Sequence, residues 1–271
     1  MGHLYLVATP IGNLEDITLR ALRVLREASL IAAEDTRTTR KLLTHYDIHT
    51  RLTSYNEHNK VGKTPVILRA LAEGDVALVS EAGTPAISDP GYDLVVAAHE
   101  AGARVVPVPG PSVLTAALAA SGLPTRTFTY LGFLPRQRGP LRALLRSLKD
   151  RQETLVAFEA PHRLRATLIV LAEELGDRFI AVCRELTKLH EEVFRGRISE
   201  ALSHFQEPRG EFTLVIAGAA AGEPTPPEDG LLDELALLRR EGVAAREAVA
   251  RLSAKYGVSH RDAYRLWLGR P

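Results

Sequence analysis

The feature that most restricts the fold of this chain is an alternation. Short apolar runs at Leu4–Thr9, Leu30–Ala33 and Asp75–Ser80, and the Val-rich run opening at Arg104, each break off into Pro, Gly or charged residues. A stretch with helical spacing of apolar positions follows each of them. Thr18 is placed to cap a helix with apolar positions at Leu19, Leu22, Leu25 and Ala28, and Asp35 or Thr36 to cap one through Leu42 and Leu43. Thr64 is placed to cap, and Pro65 to open, a third. Tyr92–Ala101 and Val113–Ser121, the latter with Ser112 at its cap, continue the series. Strands alternating with helices require a parallel sheet buried on both faces, and such a sheet gathers ligand-binding loops at the carboxyl ends of its strands.

From Gly122 the pattern changes. Strands are expected at Thr127–Phe133, Thr154–Phe158, Phe179–Arg184 and Glu211–Ala217, with a long helix over Leu164–Leu175. Pro135–Arg151 carries six basic residues and one acid, and its stripe Leu141, Leu144, Leu145, Leu148 leaves Arg142 and Arg146 on the opposite face. With Arg136 and Arg138 these residues suit phosphate contact; a solvated basic face explains them equally well. Residues 219–228 are small, proline-rich and acidic, as in a linker, and three short helices follow. The last two are separated by Gly257-Val-Ser259, the spacing of a helix-turn-helix. The expected division is an α/β domain over 1–121, a second over 122–218, the linker 219–228 and a helical module over 229–271.

Composition excludes less than the motifs do. With Lys+Arg 34 against Asp+Glu 33, net charge says nothing of a partner. The single cysteine, Cys183, lies in an apolar run and reads as a buried small hydrophobe. No Cys/His cluster has zinc spacing, no apolar run spans a bilayer, and no basic segment precedes the first strand, so neither metal, membrane nor signal peptide is expected and the cytoplasm is the expected location. G-x-G-x-x-G after a strand, the P-loop, G-x-S-x-G and HExxH are all absent, which disfavours nicotinamide enzymes, NTPases and serine hydrolases. The Ser54–Asn59 loop offers His58 as a base, though loop histidines are commonly just solvated. The longest irregular stretch, Ser80–Gly91, follows a buried strand and is the first candidate ligand loop; Pro10–Asn13 and the turn before Ser112 are the next.

Leu6–Leu14 (LVATPIGNL), Ala33–Arg37 (AEDTR), Ser80–Gly91 (SEAGTPAISDPG), Pro107–Ser112 (PVPGPS) and Arg184–Lys188 (RELTK), in this order, resemble the tetrapyrrole-methylase superfamily. More narrowly they resemble its ribosomal RNA branch, whose members methylate a cytidine 2′-hydroxyl in 16S rRNA, in the decoding region of the small subunit. The resemblance spans essentially the whole chain; Glu81 stands where an aspartate is expected, which keeps the carboxylate. It implies an α/β, two-domain tetrapyrrole-methylase-like fold with S-adenosylmethionine in the cleft between the domains, a small C-terminal helical (helix-turn-helix-like) module, and a homodimer. Carried over by position, the cofactor would touch Pro10, Ser80, Ala82, Gly83, Thr84 and Ile87, then Ser112 and Val113, Phe158 and Glu159, and Phe212 and Thr213. The acceptor would be 16S rRNA in the small ribosomal subunit, with Arg136, Arg138, Arg142 and Arg146 as its phosphate contacts.

Methyl transfer to a ribose hydroxyl is an in-line displacement at a sulfonium, so it needs orientation, a base for the hydroxyl proton, and a cation for the developing alkoxide. Glu185 and Lys188 suit the last two roles, with Glu34, Asp35 and Asp89 as rival carboxylates. A precorrin-type tetrapyrrole methyltransferase and a non-catalytic RNA-binding assembly factor stand as alternatives.

Overall fold

A computed structural model describes residues 1–220, 228–256 and 260–268. In chain order the first elements are β1 (His3–Val7), α1 (Leu19–Glu27), β2 (Leu30–Ala33), α2 (Thr36–His45), β3 (Leu52–Ser54), α3 (Lys60–Glu73), β4 (Val76–Val79), α4 (Tyr92–Glu100), β5 (Arg104–Val108) and α5 (Val113–Ser121). The sheet order is β3-β2-β4-β1-β5 and every pairing is parallel, as the alternation requires. One face is covered by α1 and α2 through Leu22, Leu25, Leu42 and Leu43, the other by α3 and α4 through Ile67, Leu71, Leu94 and Ala98. Because all five strands run the same way, the loops after β1, β2, β4 and β5 emerge at one edge.

A second sheet follows, built from β6 (Phe128–Phe133), β7 (Thr154–Glu159), β8 (Phe179–Arg184), β9 (Glu192–Arg197) and β10 (Phe212–Ile216), in the order β6-β7-β10-β8-β9. Only β6 and β7 pair in parallel; β10 runs antiparallel between β7 and β8, and its first residue, Phe212, stands opposite both Glu159 and Arg184. That register puts the start of β10 beside the ends of β7 and β8, so all three contribute to one edge. Helices α6 (Arg138–Ser147), α7 (Pro161–Leu175) and α8 (Ile198–His204) cover one face. The other face is covered by α5, whose Ala117 and Leu118 pack with Val156, Ala181 and Val215. The last helix of the first half thus belongs to the core of the second sheet.

Both sheets lie in one compact unit, Met1–Gly218; residues 219–271 form another. In the latter, α9 (Glu228–Arg240), α10 (Ala245–Tyr256) and α11 (His260–Trp267) bury Leu235, Leu238, Ala248 and Leu252, with Arg239 stacked 4.9 Å from the Trp267 ring centroid. The expected turn Gly257–Ser259 and most of the expected linker lie outside the described residues. Among those described, no helix is long and apolar enough to cross a membrane.

Several local expectations change. Helix α3 opens at Lys60, not Pro65; Pro65 sits inside it, and Thr64 caps nothing but donates its hydroxyl to the Lys60 carbonyl at 2.8 Å, one turn back. Helix α7 opens at Pro161, where the missing amide costs nothing. Leu19 is 86% exposed because it precedes the buried stripe of α1. β9 and α8 were not expected: β9 is an edge strand with Glu192, Arg195 and Arg197 among its six residues, too charged to read as a strand.

Two contacts position the edge where the sheets meet. Glu159, at the end of β7, has no exposed side-chain surface; its carboxylate accepts from the Ala160 amide (2.8 Å), the Thr167 hydroxyl (2.5 Å) and Arg163 (3.0 Å). It pins α7 to the strand. Gly12, after β1, lies against the loop following β8, where a Cβ would fall 2.4 Å from Lys188 Cγ and 2.7 Å from Thr187 Oγ1. Glu159→Ala should therefore cost about 2–4 kcal/mol in urea denaturation, by emptying a buried site and leaving the partly buried Arg163 and the Thr167 hydroxyl without their carboxylate partner, and Glu159→Gln distinctly less. Gly12→Ala should cost about 1–3 kcal/mol by overpacking, read from the same transition.

Candidate functional site

The two edges enclose a cleft of about 580 Å³. From the first sheet come Pro10 and Gly12 after β1, Glu34 after β2, Ala82, Gly83, Thr84, Ile87 and Asp89 after β4, and Ser112 and Val113 after β5. From the second come Phe158 and Glu159 at the end of β7, Lys188 after β8, and Phe212 and Thr213 at the start of β10. Of the expected cofactor contacts only Ser80 stands back from the surface: it is buried, and its hydroxyl donates to the Ala82 carbonyl at 3.2 Å, shaping the turn instead. Glu159 reaches the cleft with its carboxylate already committed to α7.

The backbone around the cleft is strained where a relaxed loop would splay. Ala86 (φ 68), Ser88 (φ 62), Glu185 (φ 49) and Thr187 (φ 67) are non-glycine residues in the left-handed region, on the two loops that face each other. Each costs on the order of 1–3 kcal/mol and persists only where its surroundings hold it. The β4 loop is held by paired backbone hydrogen bonds between Thr9 and Gly83 (2.9 and 3.0 Å) and by a hydrogen bond shared between the Ser88 and Tyr130 hydroxyls (2.6 Å), which crosses to the second sheet. The β8 loop is held by the Glu185 amide donating to the Glu211 carbonyl at 3.0 Å and by its contact with Gly12.

Charge is divided between the two walls. On the second-sheet side, Lys188 Nζ donates to Glu185 Oε1 (3.0 Å) and Glu211 Oε2 (2.9 Å). Burial works against the ammonium, but its two carboxylate partners prevail and raise its pKa, so it stays protonated. Glu185 is itself lowered: burial opposes the charge, while the Glu211 amide (2.8 Å) and Lys188 outweigh it. Glu185 therefore stands behind Lys188, outside the cleft lining. On the first-sheet side Glu34, Glu81 and Asp89 line the cleft together. Glu34 Oε2 accepts the Glu81 amide at 3.1 Å. Asp89 is half-buried and its carboxyl is lifted from the ordinary 3.8 to about 6, by burial first and then by the Glu34 charge, with Ser80 pulling the other way. Asp35, by contrast, does not line the cleft. It caps α2, accepts the Arg37 amide at 2.7 Å, and is brought down to about 2 by the Arg37 side chain and amide.

The basic segment is not the free surface its sequence suggests. Arg138 and Arg142 pair with Glu173, and Arg142 and Arg146 with Glu174 (3.1 and 2.8 Å), both acids standing on α7. Only Arg136 of the four is exposed without an ion pair among the described residues. Among the cleft residues, Phe133 and Glu211 had no usable signal in the sequence: Phe133 is a strand-end aromatic like many others, and Glu211 matters through a contact with a residue 23 positions away. Gly12 lies on a turn expected to meet a ligand, but its approach to Lys188, 176 positions away, has no sequence signal.

The sequence profile of the Tetrapyrrole (Corrin/Porphyrin) Methylases matches residues 3–202. A ribosomal RNA small subunit methyltransferase I of Halalkalibacterium halodurans is 47% identical, over 98% of this chain and 94% of its own. The protein of the same name from Thermotoga maritima is 53% identical over 80% of this chain and 99% of its own. In three dimensions a cobalt precorrin-4 methyltransferase of cobalamin biosynthesis, 18% identical, superposes with a TM-score of 0.61 over 79% of this chain and 94% of its own, which speaks for the fold alone. With the profile match and these identities, the chain belongs to the tetrapyrrole methylase family and, within it, to the ribosomal RNA small subunit methyltransferase I proteins.

Proposed function

We propose that this protein transfers a methyl group from S-adenosylmethionine to the 2′-hydroxyl of a cytidine in 16S rRNA of the small ribosomal subunit, working in the cytoplasm as a homodimer. The observation that carries the reading is the two-walled cleft, with a held ammonium on one side and a half-buried carboxyl on the other, in a chain whose relatives are named for ribosomal RNA methylation. The choice of cytidine and of the 2′ position rests on the resemblance of the five motifs.

The residues present fit the cofactor. A cleft of about 580 Å³ lies within the roughly 300–1,000 Å³ common for small-molecule sites. Its aromatic wall, with Phe133 and Tyr130 edge-on to Phe158 at 5.5 and 5.2 Å, and its carboxylates Glu34, Glu81 and Asp89 suit a ligand with a cationic sulfur. Ser112 and Thr213 add hydroxyls to orient it. Bound there, the cofactor supplies a methyl group on a positively charged sulfur, open to in-line displacement.

The chain supplies the rest. Asp89 takes the hydroxyl proton on its carboxylate, since a group titrating near 6 is ionised at neutral pH yet still a competent base. Lys188 Nζ faces the negative charge that grows on the acceptor oxygen, and Glu185 and Glu211 hold it there. Glu185, expected as the base from sequence, serves as a positioning residue because its Oε1 is already occupied by Lys188 and the Glu211 amide.

The test is incubation with labelled S-adenosylmethionine and, in separate arms, unmethylated small subunits, free 16S rRNA and a porphyrinoid. Label in RNA, recovered as 2′-O-methylcytidine after digestion, is expected; label only in the porphyrinoid, or in no arm, would overturn the reading. kcat should rise with pH through about 6, and Asp89→Asn should lower it by on the order of a hundredfold or more, well beyond any loss of cofactor affinity from removing one of the three cleft carboxylates. The same substitution should stabilise the protein. Asp89 keeps its proton in the folded state between about 4 and 6, where the unfolded chain has lost it, so wild-type stability falls as pH rises through that window. Above it the asparagine variant should gain up to about 3 kcal/mol, and at pH 3 nothing.

A further inference from the structure

Helix α2 carries a basic face that the chemistry of the cleft does not use. Arg37, Arg40, Lys41, Thr44 and His45 recur at three- and four-residue spacing, opposite the buried Thr39, Leu42 and Leu43, and the helix contains no acid. With Leu14 they line an open groove of about 570 Å³. Leu14 also lines the cleft, and so does Thr38 of α2, so groove and cleft meet at this corner. The corner is braced: the Tyr46 hydroxyl, just beyond α2, donates to the Leu14 carbonyl at 2.7 Å.

The cations on this face differ in what they have to do. Arg37 is occupied by Asp35 at 3.0 Å. Arg40 and Lys41 are exposed, and among the described residues neither has an ion pair. They stand within a turn of Thr38, at about 1.5 Å of rise per residue. An RNA that places one ribose in the cleft must carry its flanking phosphates across the rim, and binding of such a strand is dominated by cations free to replace its counterions. The arginines of α6 are engaged by Glu173 and Glu174, whereas Arg40 and Lys41 are free to do so. The exposed acids Glu15 and Asp16 beside Leu14 leave the inner end of the groove mixed in charge, which places phosphate contact at the Arg40–Lys41 end.

We propose that this groove holds the sugar-phosphate backbone of a single-stranded RNA segment as it enters the cleft, with Arg40 and Lys41 as the phosphate-binding pair and Thr44 as a neutral partner. The proposal rests on the reading that the acceptor is RNA. It is tested with the full chain and unmethylated small subunits, comparing wild type, Arg40→Ala with Lys41→Ala, and a control of equal charge, Arg69→Ala with Arg209→Ala, whose residues line neither concavity. For the first pair KM should rise about tenfold with kcat within about twofold, and the slope of log affinity against log salt should shrink by about 1.4, at roughly 0.7 per single-strand phosphate. Cofactor affinity should not move, the control should match wild type, and Arg40→Lys alone should retain most of the binding. A double variant with wild-type KM and salt slope, or one no weaker than the control, would overturn the groove assignment. Wild-type protein that binds neither subunits nor free 16S rRNA would remove the RNA reading itself, and the groove with it.

Discussion

The two sheets can approach because a side chain is missing. At Gly12 the turn after β1 touches the stem of Lys188 and the hydroxyl of Thr187 at distances that a single methyl group would violate. Everything functional about the cleft follows from that approach. It lets a loop from the second sheet deliver a cation against a wall built by the first, and it lets the first-sheet turns face the aromatic pair Phe133 and Phe158. Neither sheet contains a complete site. The parallel sheet gathers turns and acids at its carboxyl edge because all its strands run one way; the mixed sheet reaches the same place through the register of β10 between β7 and β8.

The walls are electrostatically unlike, and each holds its own charge in place. Lys188 is bonded to two carboxylates, so its position is set before any ligand arrives, and the reorganisation that water would require is avoided. Asp89 is under the opposite pressure, crowded by Glu34 and Glu81 and partly removed from water, so its proton is easily gained and lost near neutrality. Placing the two loops in left-handed backbone at Ala86, Ser88, Glu185 and Thr187 adds strain that the core of both sheets must support.

Most of the architecture was legible because it is local. Caps such as Thr18 and Asp35, the proline and glycine breaks, and the period of the apolar residues act over a few positions, and the structure follows them at α1, α2, β2, β4 and β8. The residues expected to face the cofactor came from the resemblance, not from spacing, and all but Ser80 line the cleft. What failed was pairing between distant charges. Nothing in Pro135–Arg151 announces that Glu173 and Glu174 will cover its arginines, nor does Arg184–Lys188 disclose that Glu211 will share Lys188 and occupy Glu185. Strand β9 was hidden for a related reason: an edge strand needs only one good face, and its arginines, Arg195 and Arg197, donate to the Ser121 and Asp177 carbonyls, partners that sequence spacing does not reveal.

Cys183 lies in the lining of the same cleft, buried at the end of β8. A site that handles an electrophilic methyl group threatens its own nucleophiles, and sulfur in its ionised form is the most reactive of them. Burial, followed by the charge of Glu191, pushes this thiol up to about 11, which keeps it protonated at neutral pH. The burial that fits Cys183 into the apolar packing of α5 against the second sheet thus also guards the protein against alkylating itself.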